Sequence, residues 1–184
     1  MESKELAEYI DQFLEDMHPN FQWKVVKNSV QHIVEVFFTF KIDVAEDIQV
    51  QDSEGTVNEP GVLQFEDAVC FYDPSLSHVS PNHYLRSFIF DTDKGIEQGL
   101  VDAIFKHLNI VATQGSAALR EFVKEPTHDQ FELSWNETNF EGTLDTLKDT
   151  GRYSTDLLQM NVKKEVSLID QIKGSSKDDN VERI

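Results

Sequence analysis

The chain has 184 residues, 39% of them hydrophobic, and 16 Lys and Arg stand against 34 Asp and Glu, which gives a formal net charge of −18 at pH 7. This length and composition are ample for one domain with a sizeable core. The strong negative field repels phosphate backbones and anionic lipids. We therefore expect neither a nucleic acid nor a membrane as a partner.

Three features of the sequence favour the cytoplasm. The N-terminal stretch MESKELAEYIDQF lacks the basic and apolar regions of a signal peptide. No apolar run approaches the roughly 20 residues that a membrane span needs. The single cysteine, Cys70, has no internal disulfide partner and lies in an apolar stretch, which is typical of a reducing compartment.

A helix followed by a hairpin is predicted at the start of the chain. Ser3 is placed to cap the helix, and residues 18–20, His-Pro-Asn, end it. Its apolar positions recur at helical spacing: Leu6, Ile10, Phe13, Leu14 and Met17. Phe21, Trp23 and Val25 alternate with polar residues, so they predict a first strand that a turn at 27–29 connects to the next strand.

The stretch 30–42, VQHIVEVFFTFKI, is the densest apolar element and predicts a central strand. Its even positions share one face of a sheet: Val30, Val34, Val36, Phe38, Phe40 and Ile42. The opposite face is mixed, because Ile33 and Phe37 stand there among polar residues. A short acidic strand is a further possibility at 44–50.

A second long strand is predicted from Val62 to Asp73. Leu63, Phe65, Val69 and Phe71 face one side, whereas Ala68, Cys70 and Tyr72 face the other. Asp67 interrupts the first series, which indicates a bulge. Residues 74–83 contain two prolines and read as a crossing loop before a strand at 84–90.

The pattern after residue 90 predicts helices. Apolar residues share one face of a helix from about Lys94 to Thr113, Gly115 is placed to end it, and Ser116 is placed to cap a second helix through Val123. Phe131, Leu133 and Trp135 alternate as in a strand. Residues 173–184 have almost nothing to bury and predict a flexible tail.

Together these elements predict an α+β fold. We expect an antiparallel sheet of four to five strands with helices packed on one face. The domain organisation is a single domain over 1–172, made of a core at 1–125 and a C-terminal extension at 126–172, followed by the tail.

Short segments of the chain resemble an uncharacterised family of small acidic cytoplasmic proteins from lactic acid bacteria, classed as a domain of unknown function. The segments are Phe65-Glu66-Asp67, Tyr72-Asp73, Phe90-Asp91 and Lys94-Gly95. The resemblance covers about residues 1 to 125 and implies no known activity or site. The order of helix, strands and helix is also similar to the small secretion-chaperone type of fold.

The stretch 87–96, SFIFDTDKGI, is the sharpest catalytic candidate. An apolar strand ending in Asp-x-Asp resembles the nucleophile motif of haloacid-dehalogenase-type phosphatases. Asp91 would be the nucleophile and Asp93 the acid or base, with a divalent metal. The motif lacks the strands and helices that should follow it, so we favour a structural role in which Asp91 or Thr92 caps the following helix.

Two further residue sets could form a metal site or a reactive thiol. His78 and His83 flank Pro81 and become metal ligands if the loop folds back, but exposed loop histidines are the simpler interpretation. Cys70 inside an apolar strand is typical of an inert core thiol. We expect no cofactor.

The leading functional hypothesis is a non-enzymatic cytoplasmic protein that binds another protein or itself, in a chaperone-like manner. The alternative is a metal-dependent phosphohydrolase that uses Asp91 and Asp93. The interaction residues are Ile33, Phe37 and Tyr72, because this second sheet face is too apolar to leave in water. Its cover is either the chain's final third or a second copy of the chain.

Overall fold

The structure is a computed structural model that describes residues 4–125 and 129–161, and the predicted tail at 173–184 lies outside these residues. It contains the following helices and strands, joined in part by a short 3-10 helix at Pro81–His83: β1 (Lys4–Glu5), α1 (Leu6–Met17), β2 (Gln22–Asn28), β3 (Ile33–Asp43), β4 (Val62–Tyr72), β5 (Arg86–Ile89), β6 (Ile96–Glu97), α2 (Gln98–Lys124), α3 (Glu137–Asp149) and β7 (Leu157–Gln159).

The main sheet has four strands in the order β2-β3-β4-β5, and a small second sheet has the order β1-β7-β6. The β2–β3 hairpin and the β3–β4 pair are antiparallel. The α+β class is confirmed. The last pair, β4–β5, is parallel, because the chain crosses over the sheet between these strands instead of turning back.

The starts of two predicted elements differ in the structure. β3 begins at Ile33, and Val30 lies in the preceding turn with 78% of its surface exposed. The helix α1 begins after Glu5, whose carboxylate accepts the Glu8 N–H at 2.9 Å. Residues 44–50 form no strand. His18 ends α1 in the left-handed region at φ 50°, as the His-Pro-Asn pattern predicts.

Asp67 does not mark a bulge. The β3–β4 register runs without interruption and places Asp67 directly opposite Phe38, on the same face as the buried apolar residues. Asp67 is only half-buried there, its carboxylate accepts the Ala68 N–H at 2.7 Å, and desolvation raises its pKa. A single polar residue on an apolar face therefore explains the break in the pattern.

The predicted apolar face of the sheet forms the core, beneath α1 and α2. Phe38 and Phe71 are fully buried, and Phe71 contacts the Phe105 ring of α2 at 6.0 Å between centroids. Phe65 is the member of the predicted set that is only half-buried, and it stacks on Phe40 at 5.1 Å. The face assignment made from period-two alternation is confirmed.

The helix α2 runs through Gly115 for 27 residues, so the prediction of a helix break there is wrong. A Cβ at Gly115 would lie 2.2 Å from Leu133 Cδ2 and 3.6 Å from Phe40 Cζ. The glycine permits close approach of a neighbouring segment, which is a packing role instead of a capping role.

The final third packs on the helix-covered side of the sheet. Phe131 meets Phe65 edge-on at 5.6 Å and Trp135 meets Phe88 at 5.5 Å. The residues at 131–136 form no strand, and β7 adds the central strand of the small sheet. Of the two covers that the sequence left open for the second sheet face, the described part of the final third is not one, because its aromatic side chains meet the core face.

The crossover between β4 and β5 covers part of the second sheet face. The Tyr84 hydroxyl donates to Glu35 Oε1 on this face at 2.6 Å, and the Leu85 N–H continues the β4–β5 pairing by donating to the Ala68 carbonyl at 2.8 Å. Cys70 beneath this segment is completely buried. The predicted crossing loop thus covers the part of this face that contains Glu35 and Cys70.

Candidate functional site

Two motif segments meet where β4 and β5 end. Asp73, at the end of β4, is only 4% exposed. Its Oδ1 accepts the N–H and the hydroxyl of Ser75 at 2.9 and 2.6 Å, and its Oδ2 accepts the Thr92 N–H at 2.8 Å. The carboxylate therefore connects the start of the crossover to the turn after β5.

These donors hold the pKa of Asp73 well below its usual range. The Ser75 hydroxyl has the largest effect, burial acts in the opposite direction, and the Thr92 donors lower the pKa further. Both oxygens of the carboxylate thus accept hydrogen bonds, one from Ser75 and the other from Thr92. It acts as a structural tie between segments that resemble the unknown-function family.

Asp91 organises a tight turn and does not cap α2, which begins later, at Gln98. Its Oδ1 accepts the N–H groups of Asp93 and Lys94 at 3.0 and 2.9 Å, and Lys94 Nζ lies 3.2 Å from Oδ2. Gly95 closes the turn at φ 88°. The helix-cap prediction is wrong, because a turn and β6 stand between the motif and the helix.

Asp93, the proposed acid or base, is exposed, and no side-chain contact joins it to Asp91. The N–H and the ammonium of Lys94, together with the Asp93 N–H, lower the pKa of Asp91. A nucleophilic carboxylate would have to leave these contacts. The turn thus explains the presence of both aspartates, and no catalytic role is needed to account for them.

The candidate metal ligands His78 and His83 are both exposed in the crossover. Within residues 4–125 and 129–161, no three or more His, Cys, Asp and Glu side chains are grouped so that they could hold a metal ion. A third histidine, His32, lies beside the Asp73 tie, with Nδ1 3.4 Å from Thr92 Oγ1.

Cys70 has no exposed surface, and burial raises the pKa of its thiol to about 12. Glu35 raises this pKa further by repelling the thiolate, and the Tyr84 hydroxyl acts in the opposite direction. The thiolate form needed for nucleophilic or redox chemistry is therefore disfavoured.

The predicted interaction residues are less accessible than their pattern indicates. Ile33 is 8% exposed, and Phe37 and Tyr72 are half-buried. Tyr72 pairs across the sheet with Ile33 on one side and Ile89 on the other. Ile89 is 65% exposed, so the accessible apolar surface lies at the β5 edge.

Two further exposed apolar side chains lie in the turns at this end of the sheet. Val30 and Leu76 are 78% and 54% exposed and lie in the turns beside it, which meet where the Asp73 N–H donates to the His32 carbonyl at 3.4 Å. We call Val30, Tyr72, Leu76 and Ile89 the sheet-end cluster. The alternation of Phe88 and Phe90 with Ile89 was the sequence signal for an outward Ile89.

A second feature that sequence reasoning missed lies between α2 and α3. His107 is 1% exposed, and its ring meets the Trp135 ring at 4.5 Å between centroids. Its position among the buried apolar residues of α2, beside Leu108 and Ile104, is the only sequence signal. Its neighbours from α3 become apparent only in the tertiary structure.

No helix in the described part of the chain has both the length and the apolar character needed to cross a membrane. The molecule is a small, strongly acidic α+β protein whose motif segments meet at one end of its main sheet.

The sequence matches the family described as "Protein of unknown function (DUF3013)" over residues 1–179, and the chain belongs to this family. A solved structure, a conserved protein of unknown function from Enterococcus faecalis, has a TM-score of 0.70 at 21% identity over 86% of this chain and 97% of that one. At this identity the likeness shows the fold alone. No curated protein matches the chain. The resemblance to an uncharacterised family of lactic acid bacteria is confirmed.

Proposed function

We propose that the protein is a non-enzymatic cytoplasmic binding protein whose partner is another protein. The observation that carries this proposal is the sheet-end cluster, in which three large apolar side chains are about half exposed or more at one end of the sheet. Exposed apolar groups that lie together are typical of protein-interaction sites. The buried free thiol of Cys70 suits a reducing compartment.

The charge of the chain defines the chemistry of the partner. At −18 the protein attracts basic partners and repels a second copy of itself, and the effect weakens with salt. We therefore propose a basic protein with apolar side chains that dock on the sheet-end cluster. Self-association is the competing outcome, and high salt would favour it.

The test compares two matched variants in the full chain. Ile89→Ser removes an apolar group from the sheet-end cluster, and Leu157→Ser removes a comparable group, 48% exposed, from the small sheet. A cytoplasmic protein captured by the wild type is purified, and its Kd is measured against all three proteins by calorimetry. We expect at least about tenfold weaker binding for Ile89→Ser, as for loss of an interface anchor, and no change for Leu157→Ser.

Equal binding by both variants would refute the docking surface. Light scattering at low and high salt provides the second measurement. A dimer that forms at high salt and is lost only in Ile89→Ser would replace the basic partner with a second copy of the chain.

The phosphohydrolase alternative has its own measurement. Magnesium-dependent turnover of a phosphoester that Asp91→Asn abolishes would overturn the non-enzymatic proposal. The contacts of Asp91 with the turn weigh against this outcome. We expect Asp91→Asn to keep the fold, because the asparagine side-chain oxygen can still accept the Asp93 and Lys94 N–H groups. Asp93→Asn should abolish the same turnover if Asp93 is the acid or base, so the matched control is Asp145→Asn, at an exposed position of α3 outside the motif.

A further inference from the structure

A cleft of about 420 Å³ lies between α2 and α3. Its volume is within the range of roughly 300 to 1,000 Å³ that small-molecule sites occupy. Its lining consists of Lys106, His107, Ile110, Thr138, Asn139, Gly142, Thr143, Thr146, Leu147 and Arg152. This described lining contains two cations and no carboxylate, although the chain as a whole carries a net charge of −18.

The buried His107 ring lines this cleft, and its two nitrogen atoms lack hydrogen-bond partners among the described residues. Neither ring nitrogen has a hydrogen-bond partner in the described part of the chain. Burial lowers the pKa of His107, and the carboxylate of Glu137 acts in the opposite direction. A neutral imidazole has one N–H donor and one acceptor nitrogen, and leaving both unpaired costs free energy. Both nitrogens are buried, so a ligand in the cleft reaches this unpaired group only when the ring or the side chains around it shift.

Of the two cations in the lining, Arg152 has more of its donors free to bind an anion. Its Nε donates to Thr150 Oγ1 at 2.9 Å, and its terminal nitrogens form no other hydrogen bond with a described residue. Lys106 is partly engaged, because its Nζ lies 5.9 Å from the centre of the Phe13 ring. A guanidinium binds phosphate and carboxylate groups through paired N–H donors.

The wall of the cleft that α3 forms carries mostly small side chains and leaves open space beside Gly142. A Cβ at Gly142 would meet nothing within 4 Å. The hydroxyls of Thr143 and Thr146 donate to carbonyls of their own helix at 3.2 and 2.8 Å, and their remaining lone pairs are free to accept. Ile110 and Leu147 supply the apolar part of the wall.

We propose that the cleft between α2 and α3 binds a small organic oxyanion, with Arg152 and His107 holding its phosphate or carboxylate group and Ile110 and Leu147 contacting its apolar body. The site is separate from the sheet-end cluster, so it stands independently of the proposed protein binding. It adds a small-molecule ligand to a family described only as of unknown function.

The probes are inorganic phosphate and acetate, titrated into the full chain at constant ionic strength with chloride as the reference anion. The measurement is the NMR shift of the His107 ring nitrogens and of the Gly142 amide. We expect saturation at about millimolar concentration, which suits a fragment of the ligand. Saturation by phosphate alone indicates a phosphate ester, and saturation by acetate alone indicates a carboxylic acid.

Two pairs of variants distinguish binding in the cleft from non-specific attraction of anions to positive charge. Arg152→Gln should weaken binding at least about tenfold, as loss of a charge-assisted pair does. Arg120→Gln, at an exposed position of α2, makes the same charge change and should leave the affinity unchanged. Gly142→Leu should abolish binding by filling the cleft, whereas Gly142→Ala should retain most of it. The absence of saturable shifts, or equal weakening by both arginine variants, would overturn the proposal.

Discussion

The two faces of the main sheet are covered in opposite ways. The core face lies under helices and the final third, and its aromatic rings form a connected set in which Phe71 meets Phe88 at 5.5 Å and Phe88 meets Trp135 at 5.5 Å. The second face lies under one crossover, and a side-chain bond from Tyr84 to Glu35 helps to hold it.

The core face therefore stabilises the fold, whereas the edge of the second face remains accessible for binding. Burial of the many apolar groups on the core face supplies the main favourable contribution to folding, so we expect this face to open only when the protein unfolds. A thin cover at the second face leaves Ile89 and its neighbours at the margin accessible. The molecule thus keeps its stabilising contacts and its proposed docking surface on opposite sides of one sheet.

The largest expected effect comes from removing the final third. A chain ending at Glu125 loses Phe131, Trp135 and Phe140 from the core face and should lose more than about 5 kcal/mol, enough to unfold a typical domain. Near-UV circular dichroism and thermal unfolding measure this loss. The control ends at residue 172, the limit that the sequence predicts for the domain. A truncated chain that melts cooperatively would show that the extension is dispensable.

Adjacent residues of β3 offer the next test. Phe38 has no exposed surface on the core face, and Phe37 is half-buried on the second face. Phe38→Ala should reduce the free energy of unfolding by about 3 to 5 kcal/mol, because it leaves a cavity. Phe37→Ala should cost about 1 kcal/mol. Urea unfolding of both variants measures the two losses in free energy of unfolding. Equal losses would contradict the proposed difference between the faces.

The Asp73 tie should contribute an intermediate, pH-dependent amount. Asp73→Asn is expected to cost about 2 kcal/mol at pH 7, since buried donors then face a neutral amide. The pKa of Asp73 is lowered on folding, so its contribution is present above the unfolded pKa of about 4 and is lost as the pH falls below it.

The difference between wild type and Asp73→Asn should therefore shrink between pH 5 and pH 2, as urea unfolding across about that range would measure. Asp93→Asn is the matched control, because its carboxylate is exposed. A difference that is constant with pH would mean that the carboxylate charge does not stabilise the fold.

The smallest effect is expected at the crossover itself. Tyr84→Phe removes the hydrogen bond to Glu35 and should cost about 1 kcal/mol, with faster hydrogen exchange at the Leu85 amide. Tyr72→Phe on the same face is the comparison variant. If Tyr84→Phe cost as much as Phe38→Ala, the second face would not be the weakly held side.

Local pattern determined much of the fold. Period-two alternation identified the buried sets of β3 and β4, because a pleated strand sends successive side chains to opposite faces whatever they pack against. The helical spacing of Leu6, Ile10 and Leu14 likewise identified the buried side of α1. The α+β class follows from the order of these elements.

Only the tertiary structure decided which segments meet. Gly115 reads locally as a helix end, but its lack of a side chain is used by Leu133, which lies eighteen positions further along the chain. Asp91 reads as a helix cap until the turn to Gly95 is seen, and His107 gains its significance from the distant Trp135. Such contacts depend on long-range packing, which spacing along the sequence does not encode. The fold class was therefore predictable, whereas of the candidate sites only Tyr72 was named from the sequence.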